Sequence, residues 1–403
     1  MIRHFYIDNF KSLVDFALPA GLGQFSCLIG LNGAGKSTLL KAFDFVGQLT
    51  SGRVKDWLAQ RDWEKSDLTS RFLNKQLIAF KVGFEFPGLG PVVWEGSFNA
   101  SLLRCTSESI SHQGREVLRL ADGVLKVTKR GSMAETDWPL SGLTYQGSVL
   151  SLLKAKEYHA AVQEVKVFTS HLRSLDMLSP HLMRKRAKEA TDVGYGGERL
   201  SAYLHGFSKA ARQELLVALQ GIYPQVSNWE TSALRSGWKD LRVQEQYPDA
   251  SGKALETPAL QLNDGMLRVL TVLAQTLGGA PEADPDKKTD GHQDYRCLLF
   301  DEIENGINPE IMGQVVAYLL RARQQIIVTS HSPMILNYLP DDVAQQAVVM
   351  LYRTPQGHTK AVRFFDLPET RDKLALLGPG EVFVDTELAQ LANRAEALRS
   401  PRP

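Results

Sequence analysis

The chain has 403 residues, 43% of them hydrophobic, which suits two or three lobes with a sizeable core and excludes global disorder. Lys and Arg number 46 against 45 Asp and Glu, so no global basic field marks nucleic acid as the partner, and only a local patch could do so. Cys27, Cys105 and Cys297 lie far apart without metal spacing, which fits a reducing, cytoplasmic setting, and no apolar run reaches the length of a membrane span.

The N-terminus lacks a signal-peptide core, and Ile2 to Ile7 alternates as a strand. Asn9-Phe10-Lys11-Ser12 follows, then a second strand-like run from Leu13 to Leu18. The segment 19–23 reads as a turn. Phe25 to Ile29 is an apolar run that predicts a buried strand. It leads into Gly30-x-x-x-x-Gly35-Lys36-Ser37, the spacing of a phosphate-binding loop, and Thr38 to Gly47 continues as helix. Glycines there let successive N–H groups turn inward at a helix N-terminus, which suits an anion. Lys36 can reach the outer phosphates, and the Ser37 hydroxyl can hold Mg²⁺. A bare glycine turn after a core strand would be the bland alternative, and the strand–loop–helix context argues against it.

The stretch from Thr50 to Asn74 is charged and irregular, with Trp57 and Trp63 as packing anchors. Leu77 to Phe86 alternates strictly. Val92 to Ala100, Ser101 to Cys105, Val117 to Leu120 and Val124 to Thr128 read as further short strands, with Asp122-Gly123 as a hairpin turn. An antiparallel sheet inserted after the loop helix is therefore expected. From Gly147 to Leu219 the pattern turns helical. Arg184-Lys185-Arg186 with Lys188 is a basic cluster that reads as a solvated helix face, with a polyanion contact as the sharper alternative. Ile222 to Val243 is ambiguous, with Trp229 and Trp238 expected to pack. The segment 280–294 reads as a surface loop.

Cys297 to Asp301 is an apolar strand running into Asp301-Glu302. Beside a phosphate loop, Asp301 at the strand end can hold Mg²⁺. Glu302 can then orient or deprotonate the attacking water. Two idle acids capping a core strand are the alternative. Pro309 to Arg321 reads as a helix and Gln325 to Thr329 as another apolar strand. His331, just after that strand, can donate to a γ-phosphate oxygen. Leu262 to Arg268 opens an amphipathic helix that Asn263 or Asp264 can cap. Val348 to Tyr352 and Ala361 to Phe365 are late strands, and the last thirty or so residues read as one polar helix with a tail.

This order of elements resembles ABC-class ATPase heads of the SMC/RecF/OLD-like branch. Asn9 to Ser12 resembles that branch's opening motif, Leu262 to Arg268 its signature motif, and Glu304 to Pro309 the segment after its acidic strand. The resemblance implies an α/β fold, a P-loop NTPase of ABC-head type with an antiparallel β insertion and a helical subdomain. It implies segments 1–76 with the phosphate loop, 77–145 as the β part, 146–260 as a helical arm, 261–370 with signature, acids and His, and 371–403 as C-terminal helix and tail.

The resemblance also implies roles. Gly30, Asn32, Gly33, Ala34, Gly35, Lys36, Ser37 and Thr38 would bind ATP phosphates, with Lys11 and Ser12 against the nucleotide. Ser37 and Asp301 would hold Mg²⁺; Glu302, His331 and Lys36 would be catalytic. Asn263, Asp264 and Gly265 of one copy would contact the γ-phosphate held by another, sandwiching two ATPs in a dimer. The family usually has Ser where Asn263 stands. The glutamine that couples Mg²⁺ to the arm is Gln60 or Gln76. An effector protein such as a nuclease, or nucleic acid, would be the object of the cycle, since the chain shows neither a nuclease signature nor a long coiled coil. A slow-turnover ATP-binding scaffold in a defence or toxin–antitoxin-type system is the alternative, and a membrane transporter fits less well.

Overall fold

The computed structural model describes residues 1–19, 21–131, 135–176, 179–277 and 297–399. The expected loop over 280–294 lies outside them. The chain forms two compact units. One holds 1–173, 295–297 and 341–403; the other holds 174–294 and 298–340.

The first unit opens with strands β1 (Ile2–Asp8), β2 (Phe16–Ala17) and β3 (Phe25–Ile29), then helices α1 (Lys36–Leu49) and α2 (Val54–Ala59). Six strands follow: β4 (Leu77–Phe86), β5 (Gly90–Asn99), β6 (Arg104–His112), β7 (Arg115–Ala121), β8 (Val124–Thr128) and β9 (Glu135–Pro139). They join β1 and β2 in an antiparallel sheet of order β2-β1-β4-β5-β6-β7-β8-β9. Alternation in β4 puts Ile78, Phe80, Val82, Phe84 and Phe86 in the core. Asp122 (φ 51°) and Gly123 (φ 74°) make the β7–β8 hairpin with both central residues left-handed, as the primed two-residue turn requires. The expected strand over Ser101 to Cys105 is instead a turn, and β6 begins at Arg104.

Helix α1 is fixed to this sheet by aromatics. Phe43 meets Phe5 of β1 at 4.1 Å between ring centroids, and Phe45 meets Phe98 of β5 at 5.1 Å. All four rings are fully buried, each contributing roughly 1.5–3 kcal/mol of apolar burial. Trp57 and Trp63 stack edge to face at 5.5 Å, as anchors should, and Trp57 Nε1 donates to buried Asp44 at 2.6 Å. Helix α3 (Ala160–Ser170) then leads to β10 (Leu172–Asp176).

The second unit carries short helices α4 (Pro180–Met183) and α5 (Leu200–His205), then α6 (Lys209–Ile222). Strands β11 (Val226–Ala233), β12 (Lys239–Pro248) and β13 (Ala254–Pro258) form a separate antiparallel sheet, resolving the ambiguous stretch as β structure. Trp229 is buried there. Trp238 is not: it is 42% exposed beside a tight turn at Ser236 (φ 71°), with the Lys188 ammonium 5.4 Å from its ring centre. Helix α7 (Asp264–Leu277) is buried along most of its length and packs on α4, α6 and α8 (Pro309–Arg321). β14 (Cys297–Asp301) and β15 (Gln325–Thr329) are neighbouring apolar strands, and α9 (Pro333–Asn337) follows.

Back in the first unit, α10 (Asp341–Ala347) precedes β16 (Val348–Arg353) and β17 (Thr359–Arg363). β16 runs parallel to β3 and antiparallel to β17. The C-terminal part is three helices rather than one: α11 (Pro368–Leu374), α12 (Pro379–Val384) and α13 (Leu388–Arg399). Pro368 and Pro379 each sit in a first helical turn, where the missing N–H costs nothing. Among the described residues, no helix is long and apolar enough to cross a membrane.

Candidate functional site

The phosphate loop joins β3 to α1 in the first unit. Gly30 (φ 142°) and Gly35 (φ 108°) adopt backbone that side chains rarely enter. A Cβ on Gly30 would overlap the Leu351 carbonyl of β16, and one on Gly35 would overlap Thr359. Gly33 (φ 77°) faces open space. Helix α1 starts at Lys36 with no side-chain cap, so its first-turn N–H groups are left to the loop's interior. Lys36 is 5% exposed, and its ammonium donates to the carbonyls of Gly30 at 2.9 Å and Leu31 at 3.2 Å. The lysine thus already lies inside the loop, held by the curled backbone. Asn32 is exposed, Ala34 buried, and Ser37 and Thr38 are half-buried at the helix start. An uncapped N-terminus, a glycine facing open space and an inward lysine suit a polyphosphate.

The loop has a support that the sequence did not announce. The Thr359 hydroxyl of β17 donates to the Ala34 carbonyl at 3.0 Å, which leaves Ser12 Oγ, 2.9 Å away, as donor to Thr359. Arg353, at the end of β16, donates to the Gly33 carbonyl at 2.7 Å. Ser12 is 7% exposed and acts on the loop through Thr359. Lys11 (φ 49°) lies 3.7 Å over the Trp63 ring, and burial, with Lys41 nearby, lowers its pKa to about 8. Both glutamine candidates are exposed: Gln60 ends α2, and Gln76 accepts from Ser101 Oγ at 2.9 Å.

The second unit gathers the acids, the histidine and the signature-like helix. β14 delivers Asp301 and Glu302, and Glu302 sits in left-handed backbone (φ 48°). Thr329, fully buried at the end of β15, donates to Asp301 Oδ1 at 2.6 Å and accepts the Glu302 N–H at 2.8 Å. Asn305 Nδ2 donates to Glu302 Oε2 at 3.4 Å, and His331 Nε2 lies 3.9 Å from Glu302 Oε1. Glu304 secures the histidine's loop by accepting from the N–H groups of His331 at 2.6 Å and Ser332 at 3.1 Å, and from Ser330 Oγ at 3.1 Å. Two carboxylates and an imidazole therefore stand on adjacent strand ends with His331 nearest Glu302, an arrangement suited to orienting water, while among the described residues no three such side chains group closely enough to hold a metal ion by themselves.

Asn263 caps α7, its Oδ1 accepting the Met266 N–H at 2.8 Å. Asn263 and Asp264 are exposed and Gly265 half-buried. From the same helix, Arg268 donates to the Asn305 carbonyl. The basic cluster is not simply a solvated face: Arg184 donates to Asp264 Oδ1 at 2.5 Å and to the Leu262 carbonyl at 2.8 Å, while Arg186 pairs with buried Asp240 at 2.7 Å. Thr329, Thr359, Arg353, Glu304, Arg268 and Arg184 were not singled out for these contacts by sequence. Glu304 and Arg268 lay inside recognised motifs, Arg184 in the basic cluster and Thr329 at the end of an expected strand.

Fold and loop together define a P-loop ATPase head of the ABC type, in the SMC/RecF/OLD-like branch. The chain belongs to the family described as "AAA domain, putative AbiEii toxin, Type IV TA system", whose pattern it matches over residues 25–101 and 143–337. It is similar to the OLD nuclease of Thermus scotoductus, 33% identical over 106 residues, 26% of this chain and 18% of that protein. It is also similar to the phosphonates import ATP-binding protein PhnC of Lactococcus lactis, 35% identical over 74 residues, 18% of this chain and 28% of that protein. The chain thus spans less than a third of either relative's length. Among solved structures, the Smc head bound to the C-winged helix domain of ScpA aligns with a TM-score of 0.54 at 15% identity, over 90% of this chain and 96% of that one. The Smc head of Pyrococcus furiosus bound to the C-terminal domain of ScpA gives 0.55 at 12% identity, over 93% and 99%. These two show the shared fold.

Proposed function

We propose that this chain hydrolyses ATP, and that two copies close around two ATPs to drive or gate a partner. What carries the reading is the ordered pair Asp301–Glu302, fixed by Thr329, with His331 beside Glu302. Idle surface acids need no such bracing, and Glu302 is held in costly backbone to stand where it does.

In this reading the loop N–H groups and Lys36 bind the phosphates. Asp301 and Ser37 would hold Mg²⁺, which when bound neutralises charge on the transferred phosphoryl group. Glu302 orients the attacking water and takes its proton, and His331 donates to the terminal phosphate. Asn263 to Gly265 would meet a second copy's ATP. Closure then adds contacts that hydrolysis removes, and populations shift only by that difference in affinity.

The partner class is proposed as an effector protein or nucleic acid. The family's description, naming a putative toxin system, and the partial match to an OLD nuclease favour an effector. They also support a second reading, a slow-turnover scaffold that holds an effector in a defence or toxin–antitoxin-type system.

The test is Mg²⁺-dependent phosphate release by wild type, Lys36→Ala and Glu302→Gln, with mass measured with and without ATP. Lys36→Ala should abolish ATP binding. Glu302→Gln should retain it, lose turnover by about 10²–10⁴-fold and accumulate dimers. Equal turnover in wild type and Glu302→Gln would remove Glu302 as the base. Turnover absent in wild type, with ATP-dependent dimers present, would favour the scaffold.

A further inference from the structure

The tip of α7 carries a charge problem. Asn263 spends its Oδ1 on the Met266 N–H, and the exposed acidic side chain at the tip is Asp264. A carboxylate there would repel a second copy's triphosphate, the group this tip is proposed to meet. Like charges brought together as water is excluded work directly against closure.

Arg184 removes that obstacle. It follows the four-residue α4, and its Nη2 reaches both Asp264 Oδ1, at 2.5 Å, and the Leu262 carbonyl, at 2.8 Å. One guanidinium nitrogen thereby pins the backbone before the helix and cancels the acid at its start. The Arg184 side chain is 21% exposed, and its Nε and Nη1 donors make no hydrogen bond among the described residues. A planar fork with unspent donors beside a neutralised helix N-terminus matches phosphate oxygens.

We infer that Arg184 belongs to the surface that receives a second copy's nucleotide: it neutralises Asp264 and gives its remaining N–H donors to the terminal phosphate. The inference rests on the dimer reading above. The alternative, a brace that only holds the loop before α7, makes a different prediction for Asp264. A brace loses strength when Asp264 becomes neutral. A counter-charge becomes less necessary.

The experiment uses the full chain carrying Glu302→Gln, with ATP and Mg²⁺, and measures the dimer dissociation constant by sedimentation. ATP uptake by single subunits is read in parallel. Adding Arg184→Ala should weaken the dimer on the order of tenfold or more. Arg184→Lys, which keeps charge but loses the fork, should fall between. Asp264→Asn alone removes the like charge from the tip that meets the nucleotide and should tighten the dimer, and it should restore part of the loss when combined with Arg184→Ala. The Asp264→Asn arm keeps the arginine and carries the test by itself: a dimer weakened or unchanged by that change overturns the inference, and a weakened one assigns Arg184 to bracing. An unweakened dimer in Arg184→Ala overturns it equally, while leaving the dimer reading intact. If the parent binds ATP yet never dimerises, the dimer reading falls and the inference falls with it.

Discussion

Thr329 holds Asp301 and Glu302 with one hydroxyl: its Oγ1 donates to Asp301 Oδ1 at 2.6 Å and accepts the Glu302 N–H at 2.8 Å. The hydroxyl is the last side chain of β15, and it sets both the rotamer of one acid and the backbone turn that aims the other. Glu302's left-handed backbone costs on the order of 1–2 kcal/mol, and this bond helps hold it. Thr329→Val keeps the branched shape in a fully buried place and replaces the hydroxyl with a methyl that can neither donate nor accept. Turnover should fall about 10–100-fold, as misplacement of a reacting group by an ångström does. ATP affinity should stay within about twofold. Steady-state kinetics set beside nucleotide titration check this, and unchanged turnover would mean that the alignment of these acids is immaterial.

Glu304 does for His331 what Thr329 does for the acids. One carboxylate oxygen accepts from two successive N–H groups and a serine hydroxyl. Glu304→Ala strands those donors, at a cost of about 1–3 kcal/mol. Glu304→Gln keeps an acceptor oxygen and should recover at least half of the loss. Urea unfolding midpoints of the three proteins test the order wild type, Gln, Ala.

Arg268 ties the helix that starts at the proposed phosphate-contacting tip to the loop after the acids. It donates to the Asn305 carbonyl, and Asn305 in turn donates to Glu302 at 3.4 Å. Gly306 (φ 66°) leaves room for it, since a Cβ there would overlap the guanidinium. Arg268→Ala and Gly306→Ala should therefore break one contact by two routes. Their effects on turnover should be non-additive in the double variant, by more than about 0.5 kcal/mol. Additive losses would place the two residues in separate roles.

The parts of this molecule written in short sequence ranges were legible. β4, β8, β15 and α8 fall on the expected runs because alternation or a capped amphipathic period is local information. The phosphate loop is likewise self-contained. Its brace is not: Thr359 and Ala34 are 325 residues apart, and nothing around Thr359 marks it. Strand β6, Arg-Cys-Thr-Ser-Glu-Ser-Ile-Ser-His, was missed beyond its first residues because its polar positions hide the alternation, although Glu108 is buried. The basic cluster at Arg184 looked solvated because its acids, Asp264 and Asp240, lie 80 and 54 residues away.

The loop glycines should separate by position. Gly30→Ala meets a main-chain carbonyl that cannot move without shifting β16, so it should destabilise the first unit by roughly 2–4 kcal/mol or prevent folding. Gly33→Ala meets nothing within 4 Å and has only its φ of 77° to oppose it, about 1–2 kcal/mol. It should fold, and its loss should appear in ATP affinity instead, because the added methyl borders the proposed phosphate space. Thermal denaturation with and without ATP distinguishes the two. A Gly30→Ala protein as stable as Gly33→Ala would contradict the close approach of β16.

Glu108 makes stability depend on pH. It is buried in the eight-stranded sheet, accepting from Ser148 Oγ at 2.5 Å and the Val149 N–H at 2.8 Å. Burial raises its pKa from 4.5 to about 7, with those bonds and one from Trp94 opposing the rise. The folded protein therefore binds more protons than the unfolded chain between the two values. Its contribution is fully present below about 4.5 and is lost as pH climbs through about 7. Glu108→Gln holds a neutral side chain of the same length and should flatten that slope, so the variant gains on wild type from pH 6 to 8. Urea unfolding at successive pH values, wild type against variant, reads the difference, and parallel curves would show that Glu108 stays ionised in the fold.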